Sequence, residues 1–193
     1  MTDTPSTEAD APEAPTPEPA PTVHGHPLTD SNGQSVVHVP REGYVALIKN
    51  LADDGYVQCS DLCGIDYLTH PGRALPDGIV AGRFEVVVNL LDIEHRRRLR
   101  VRVQIPADDV TCPTLFDVHP GTEAMERETY DMFGIEFTDH PDLTRILMPE
   151  DWDGFPLRKD YGAGEIPVQF SNDYAISGRP SFVPGVPLSL IHI

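Results

Sequence analysis

The chain has 193 residues, with 31 acidic and 14 basic side chains and a net charge of −17. Binding to nucleic acid or to an anionic lipid surface needs clustered positive charge, so this balance disfavours both partners. The length and the 39% hydrophobic composition predict one domain with a modest core, flanked by tails.

Targeting signals and cysteines give little direction. No apolar run approaches the ~20 residues that span a bilayer, and the N-terminus lacks a basic region followed by an apolar one. The three cysteines do not form a disulfide framework. We therefore expect a soluble protein of the cytoplasm that reaches a membrane only through partner proteins.

Residues 1–35 are predicted to be a disordered, acidic, Pro/Ala-rich tail. The first 27 residues are rich in Pro, Ala, Thr and Glu and contain no Lys or Arg. Such a composition buries too little apolar surface to offset the entropy of ordering. The tail is either a plain solvated terminus or a docking arm.

The folded part is predicted to start at residue 36, and its first clear element is a helix. Tyr44, Leu47, Ile48 and Leu51 recur at helical spacing, and Gly55 is a natural stop. The run "YVQCSDLCGIDYL" then predicts a strand, and the Pro/Gly-rich "THPGRALPDGIVAG" predicts turns.

Two amphipathic strands follow and favour a hairpin. Their sequences are "RFEVVVNLLDI" and "RRLRVRVQIP", joined through "DIEHRR". Apolar side chains occupy one face of each strand by alternation. The predicted fold class is α+β: a small mixed or antiparallel sheet with helices on one face, then a turn-rich C-terminal segment and an extended tail.

The second of these strands carries a row of arginines on its other face, namely Arg98, Arg100 and Arg102. Three interpretations stay open at this point. The row is a solvated strand face, a strip that meets an acidic partner surface, or a set of charges that Glu85 on the neighbouring strand neutralises.

Residues 113–134 predict a second helix. Thr122 is a candidate N-cap, Glu123 lies in the first turn, and Gly134 ends the pattern. Helical spacing places Glu128 beside apolar residues, so its carboxylate is expected to be paired or protonated. Its candidate partners are Arg145, Arg158 and Lys159.

The stretch "ERETYDMFGIEFTDHPDLTRILMPEDWDGFPLRKDY", residues 126–161, is dense in charge, aromatics, Pro and Gly. Its turns and prolines predict a preformed, stiff surface. Leu143, Ile146 and Leu147 are the expected apolar anchor. Two ion pairs are expected to hold the turns, Asp142 with Arg145 and Arg158 with Asp160.

Catalytic and metal-binding alternatives have weaker support. Asp131, Asp139 and His140 supply acids and a histidine, but no nucleophile motif or metal-binding helix motif accompanies them. Cys59 and Cys63 would share a strand face, yet two thiolates without further ligands make a poor metal site, and core packing is the alternative. No glycine-rich phosphate loop or dinucleotide fingerprint is present, so NADH binding is not expected.

Residues 126–161 resemble the signature of the thirty-kilodalton subunit family of the proton-pumping NADH:quinone oxidoreductase, respiratory complex I. The shared pattern is "ERE.YDMFGI.F..HPDL.RIL.P.DW.G.PLRKDY". The preceding helix, strand and hairpin also fit the family, so the resemblance covers residues 36–161. Departures are few: Asp139 replaces a frequent Gly or Asn, Thr144 replaces a frequent basic residue, and Phe155 occupies a variable position.

The resemblance implies a cofactor-free structural and assembly subunit with no active site of its own. FMN and iron–sulfur clusters would belong to partner subunits, and the complex would pass electrons from NADH to a quinone while translocating protons. This chain would pack against the large hydrogenase-like subunit and neighbouring iron–sulfur subunits of the peripheral arm, on the cytoplasmic side of the cell membrane. The residues that would form or support this interface are Glu126, Arg127, Glu128, Asp131, His140, Asp142, Arg145, Asp151, Trp152, Arg158, Lys159 and Asp160. Residues 162–193, apolar but aperiodic, would be an extended arm on a partner or else a frayed terminus.

Two alternatives accompany this interpretation. The chain could serve an energy-converting hydrogenase or a quinone dehydrogenase with another electron donor. It could also be a stand-alone enzyme that uses the Asp/His/Arg cluster.

Overall fold

The computed structural model describes residues 21–162, and these residues form eight strands and two helices. Their bounds are β1 Thr22–Val23, β2 His26–Ser31, β3 Gln34–Pro40, α1 Tyr44–Asp53, β4 Gln58–Asp66, β5 Phe84–Asp92, β6 Arg97–Ile105, β7 Thr111–Pro113, α2 Glu123–Phe133 and β8 Glu136–Thr138. No helix within this part of the chain is long and apolar enough to cross a bilayer.

Six strands form a mixed sheet in the order β1-β2-β3-β6-β5-β4. The pair β3–β6 is parallel and the other neighbours in this sheet are antiparallel. The chain therefore leaves β3, passes through α1, and returns at the opposite edge as β4. A separate parallel pair, β7–β8, precedes and follows α2. The predicted α+β class and the β5–β6 hairpin are confirmed.

Both helices pack on one face of this sheet. The four periodic residues of α1 are buried, and they share a core with the inward-facing residues of the central strands. On β4, Gly64 lies under α2, where a Cβ atom would meet the Phe133 ring at 2.8 Å and the Thr129 methyl group at 3.0 Å. The small residue thus lets the helix approach the sheet closely.

The opposite face of the sheet carries a polar network around Glu85, which is 0% exposed. Arg102 and Gln104 on β6 both donate to its carboxylate. Arg102 also donates to the Tyr67 hydroxyl, and Arg73 donates to the Gln104 side-chain oxygen. For Arg102, the interpretation that Glu85 neutralises the arginine row is confirmed, because a buried carboxylate needs such partners.

The predicted start of the folded part at residue 36 is wrong. β1 and β2 lie before that residue, and β2 pairs with β3 in a hairpin. The turn is made by Asn32 and Gly33, at φ of 55° and 78°. Asn-Gly is the usual signal for a tight hairpin, and the polar sequence of β2 hid it because this strand is only half-buried. Residues 1–20 lie outside the described part, as does the predicted C-terminal arm beyond Gly162.

The expectation that Cys59 and Cys63 share a strand face is also wrong. The β4–β5 register shifts between Cys59 and Asp61, so Cys59 lies opposite Leu90 and Cys63 opposite Val87, on the two different faces. Cys63 is exposed and Cys59 half-buried, so neither is a fully buried core residue.

Candidate docking site

Two carboxylates of α2, Glu126 and Asp131, are completely buried. Glu128, which the helical pattern placed on the apolar side, is instead exposed. The neighbours that suggested burial explain the error, because Ala124 is exposed and Met125 is only half-buried. The prediction that Glu128 pairs with a downstream base is therefore wrong. The confirmed features are the start of α2 at Glu123 and its end before Gly134.

Asp131 is the anchor of the turn segment, by which we mean residues 139–161. One carboxylate oxygen, Oδ2, accepts three consecutive backbone N–H groups, from Ile146 at 3.1 Å, Leu147 at 2.7 Å and Met148 at 2.8 Å. The other, Oδ1, accepts from Arg145 Nη1 at 2.7 Å. Burial alone would raise the pKa of Asp131, but these hydrogen bonds outweigh it and lower the pKa.

Arg145 carries the anchor outward into the turn segment. Besides Asp131, its guanidinium donates to the Gly154 carbonyl at 3.0 Å and lies 5.3 Å from the centre of the Phe155 ring. The expected pairing of Arg145 with Asp142 is therefore replaced by a pairing with the helix. Sequence distance made the nearer acid attractive, whereas the chain reversal after α2 brings Asp131 closer.

Glu126 fixes the other end of α2. Its carboxylate accepts from the Thr114 hydroxyl, from the Leu115 amide at 2.7 Å and from the Thr122 hydroxyl at 3.1 Å. Burial raises the pKa of Glu126, and the hydrogen bonds offset part of that rise. Thr122 thus occupies the N-cap position, but its side chain binds Glu126 and the His119 carbonyl rather than capping the helix.

His140 closes the turn segment onto the same end of the helix. Its Nδ1 accepts the Asp142 amide at 3.1 Å, which places the ring proton on Nε2. That nitrogen donates to the Glu123 carbonyl at 3.2 Å and lies 3.9 Å from the Glu126 carboxylate. The ring is fully buried and occupied on both sides, so its role here is to hold the backbone.

Arg158 holds the C-terminus of α2. Its Nε donates to the Phe133 carbonyl at 2.6 Å, and a longer contact of 3.4 Å reaches the Gly134 carbonyl. The guanidinium also lies between two rings, 5.1 Å from the centre of Phe84 and 4.6 Å from that of Phe155. A cation placed on the last carbonyls of a helix is favoured by the helix dipole. The expected pairing of Arg158 with Asp160 is absent from the described contacts.

A second anchor, which the sequence did not reveal, ties the end of the turn segment to the sheet. Asp66, at the end of β4, is 4% exposed and binds Arg83 through two hydrogen bonds of 3.1 and 2.9 Å. It also accepts the backbone N–H groups of Leu68 and Lys159, both at 2.9 Å. Arg83 continues to Asp160 at 2.7 Å. No local pattern links residues 93 positions apart; the one available signal was an aspartate that ends a strand just before a turn.

The pKa of Asp66 shows how strong this second anchor is. Burial would raise it, but the Arg83 side chain and the two backbone amides lower the pKa to about 2. The carboxylate is therefore fully charged at neutral pH.

The remaining predicted site residues are less central. Arg127 donates to the Thr144 carbonyl and hydroxyl at 3.1 and 2.9 Å, so Thr144 still supports the network although it is not basic. Asp142 contributes its backbone amide, whereas Asp151 and the Lys159 side chain are exposed. Trp152 is half-buried, and its amide donates to the Pro149 carbonyl at 3.0 Å.

The outer surface of the turn segment is apolar in part. Ile146 and Leu147, whose amides bind Asp131, direct 42% and 59% of their surface to solvent, and Leu157 is 47% exposed. Only Leu143 packs against the core. The expected apolar anchor of three residues is thus wrong for two of them. Their backbone is fixed from below, and their side chains are presented outward.

The arrangement is suited to holding a surface in place rather than to chemistry. Both buried carboxylates of α2 are occupied by hydrogen bonds, and burial raises the pKa of Cys59 to about 11, which keeps its thiol protonated. Among residues 21–162, no three metal-ligating side chains converge.

Fold and site together define an α+β domain whose turn segment is clamped to its second helix and to its sheet. The family model described as "Respiratory-chain NADH dehydrogenase, 30 Kd subunit" matches residues 37–166. The chain therefore belongs to this family of respiratory-chain NADH dehydrogenase subunits, and the resemblance seen in the sequence is confirmed.

Individual relatives agree, and each is named as the corresponding subunit of NADH-quinone oxidoreductase. The chain is 40% identical over 146 residues to the relative from Saccharopolyspora erythraea, a match that covers 74% of this chain and 55% of the relative. It is 42% identical over 157 residues to the relative from Roseiflexus castenholzii, covering 79% and 84%. The chain thus spans about half the length of the first relative.

Solved structures give the same fold. A structure titled as the trypsin-resistant fragment (1-134) of Nqo5 has a TM-score of 0.55 and 35% identity, covering 62% of this chain and 90% of that one. A chain from the structure of the membrane-bound sulfane sulfur reductase, an archaeal respiratory membrane complex, has a TM-score of 0.60 at 20% identity, covering 71% and 77%. At that identity the second similarity concerns the fold alone.

Proposed function

We propose that this chain is a cofactor-free scaffold subunit of the peripheral arm of an NADH:quinone oxidoreductase. It docks through the turn segment onto the large hydrogenase-like subunit, near the quinone site, on the cytoplasmic side of the membrane. The family and the names of the relatives support the assembly. FMN and iron–sulfur clusters belong to the partner subunits in this proposal.

One observation carries the docking role: the Asp131 carboxylate binds three consecutive amides of the segment that exposes Ile146 and Leu147. Exposed apolar side chains on a fixed backbone lose little conformational entropy when a partner covers them. A surface prepared in this way favours tight association without a change of shape.

The test is a substitution at the exposed surface, Leu147→Asp, in the chain expressed in its own complex. A buried aspartate in an interface leaves an unpaired charge, so we expect the amount of hydrogenase-like subunit recovered with the chain from membranes to fall by about tenfold or more. Ile93→Asp is the matched control, because Ile93 is 64% exposed at the tip of the β5–β6 hairpin, outside the turn segment.

Equal recovery of the hydrogenase-like subunit with both variants would refute the docking surface. The cofactor-free role has its own test, since flavin or iron bound in stoichiometric amount to the purified chain would refute it. Any Leu147→Asp complex that does assemble should contain the full cofactor content of the unmodified complex.

The alternative assembly, an energy-converting hydrogenase or a dehydrogenase with another electron donor, would use the same surface. Mass spectrometry of the electron-input subunit recovered with the chain separates the two assemblies. Recovery of a flavoprotein that oxidises NADH supports the proposal, and recovery of a different input protein supports the alternative.

A further inference from the structure

Three arginines form a positive strip at one end of the sheet. Arg96 lies in the turn before β6, and Arg98 and Arg100 follow on the β6 face opposite the helices. We call these three residues the arginine strip. Together with the β2–β3 turn, residues 31–35, they line a polar cavity of about 670 Å³.

The charge of the arginine strip is not compensated within the described residues. The neighbouring Arg97 and Arg102 pair with buried carboxylates of β5. In contrast, no member of the strip forms an ion pair within residues 21–162, and Arg100 donates only to the Asn89 side chain, at 3.1 Å. In a chain with a net charge of −17, an uncompensated positive cluster indicates that an acidic group covers it.

The chain itself supplies such a group beside the strip. Residues 1–20 contain no Lys or Arg but carry five carboxylates, those of Asp3, Glu8, Asp10, Glu13 and Glu18. The described chain starts at Pro21, whose carbonyl accepts the Leu28 amide at 2.9 Å. β1 runs antiparallel to β2, so towards its N-terminus the chain heads along β2 in the direction of Ser31, which lines the cavity.

We propose that residues 1–20 bind the arginine strip and form an intramolecular acidic cover over this end of the sheet. Leu28 and Ser31 are three residues apart on β2, a distance of about 10 Å that a few extended residues span. Most of the segment is then left to lie against the strip. Tethering gives an effective concentration on the order of mM, so even weak charge pairing occupies the site.

The experiment compares the full chain with a variant in which three of these carboxylates are neutral, Asp10→Asn, Glu13→Gln and Glu18→Gln. NMR signals are followed for the amides of residues 33–35 and for the Nε–H groups of the arginine strip. We expect them to differ between the two proteins at about 0.01 M salt and to coincide at about 1 M salt, because over that range the screening length falls from about 30 Å to about 3 Å.

A control variant removes the same charge elsewhere, through Asp77→Asn, Asp108→Asn and Asp117→Asn, all at exposed positions outside the cavity. Its signals at the strip should match those of the full chain. Identical signals in the full chain and in the three-carboxylate variant at low salt would overturn the proposal. Signals that move only when the other subunits of the complex are added would also overturn it, because the acidic group would then belong to a partner.

Discussion

Replacing Asp131 by Asn removes the charge of the anchor and leaves its shape unchanged. An asparagine has one acceptor oxygen and one donor nitrogen in place of two acceptor oxygens. If the oxygen faces the three amides of residues 146–148, the nitrogen opposes Arg145. If the oxygen faces Arg145, the nitrogen opposes three donors. Either rotamer leaves buried donors without an acceptor.

The expected loss follows from these contacts. Breaking a buried ion pair by removing one partner costs about 3–5 kcal/mol. The lower end applies here, because Arg145 keeps 14% of its side chain exposed and keeps its bond to Gly154. About 3 kcal/mol in a chain of this size corresponds to a fall of about 6–12 °C in the unfolding temperature.

Urea unfolding of the purified chain measures the free energy, and hydrogen exchange measures the local effect. The amides of residues 146–148 should exchange much faster in Asp131→Asn than in the unmodified chain, even where the sheet is still protected. Glu123→Gln is the control on the same helix. Its carboxylate is 47% exposed and 3.9 Å from Arg127, so its loss should cost at most about 0.5 kcal/mol.

A double-mutant cycle with Arg145→Met tests whether the pair acts as a unit. If it does, the double variant is less destabilised than the sum of the single variants, because each single change already strands the other partner. The reasoning is refuted if Asp131→Asn costs less than about 1 kcal/mol, or if its effect is simply additive with that of Arg145→Met.

Two further predictions concern the sheet anchor and the end of α2. Because the folded pKa of Asp66 is about 2 while its unfolded value is near 3.8, its stabilisation is complete above about pH 4 and is lost as the pH falls through about 2; this shift corresponds to about 2 kcal/mol. Asp66→Asn should therefore be less stable at neutral pH and lose less stability on acidification through that window, as acid titrations of unfolding will show; a parallel pH dependence of both proteins would contradict this. Gly134→Ala should cost about 2 kcal/mol or more in urea unfolding, because φ is 69° and a Cβ atom would lie 2.5 Å from the Phe155 ring and 2.6 Å from Arg158 Nη2. A change of similar size is not expected for Gly72→Ala, where a Cβ atom meets nothing within 4 Å.

The elements with a clear period were predictable from the sequence. The apolar spacing of α1 and the alternation of β5 and β6 report a local geometry that burial then enforces, and the structure has all three. β1 and β2 were missed because an edge hairpin with half-buried polar residues has no strong alternation. The Asn32-Gly33 turn was the signal that local reasoning had available.

The site was predictable as a segment but not as a set of contacts. The density of charged and turn-forming residues correctly marked residues 126–161 as the stretch to examine. Its pairings failed, because Arg145 finds its partner on α2 and Asp160 finds its partner in Arg83, just before β5, rather than within the turn segment. Helical periodicity also chose Glu128 over Glu126, since it sees one face of a helix, whereas α2 is covered by the sheet on one side and by the turn segment on another.

The choice of charged anchors in the turn segment follows from what its surface presents. A segment that exposes Ile146 and Leu147 cannot also bury them, so apolar burial of these side chains does not fix its conformation. Backbone amides bound to a buried carboxylate fix the same residues without using their side chains. Buried ion pairs add less stability than apolar packing of equal volume, but they have strict geometry. The anchor at Asp131 therefore makes sense as a device for orientation, which is what a docking surface requires.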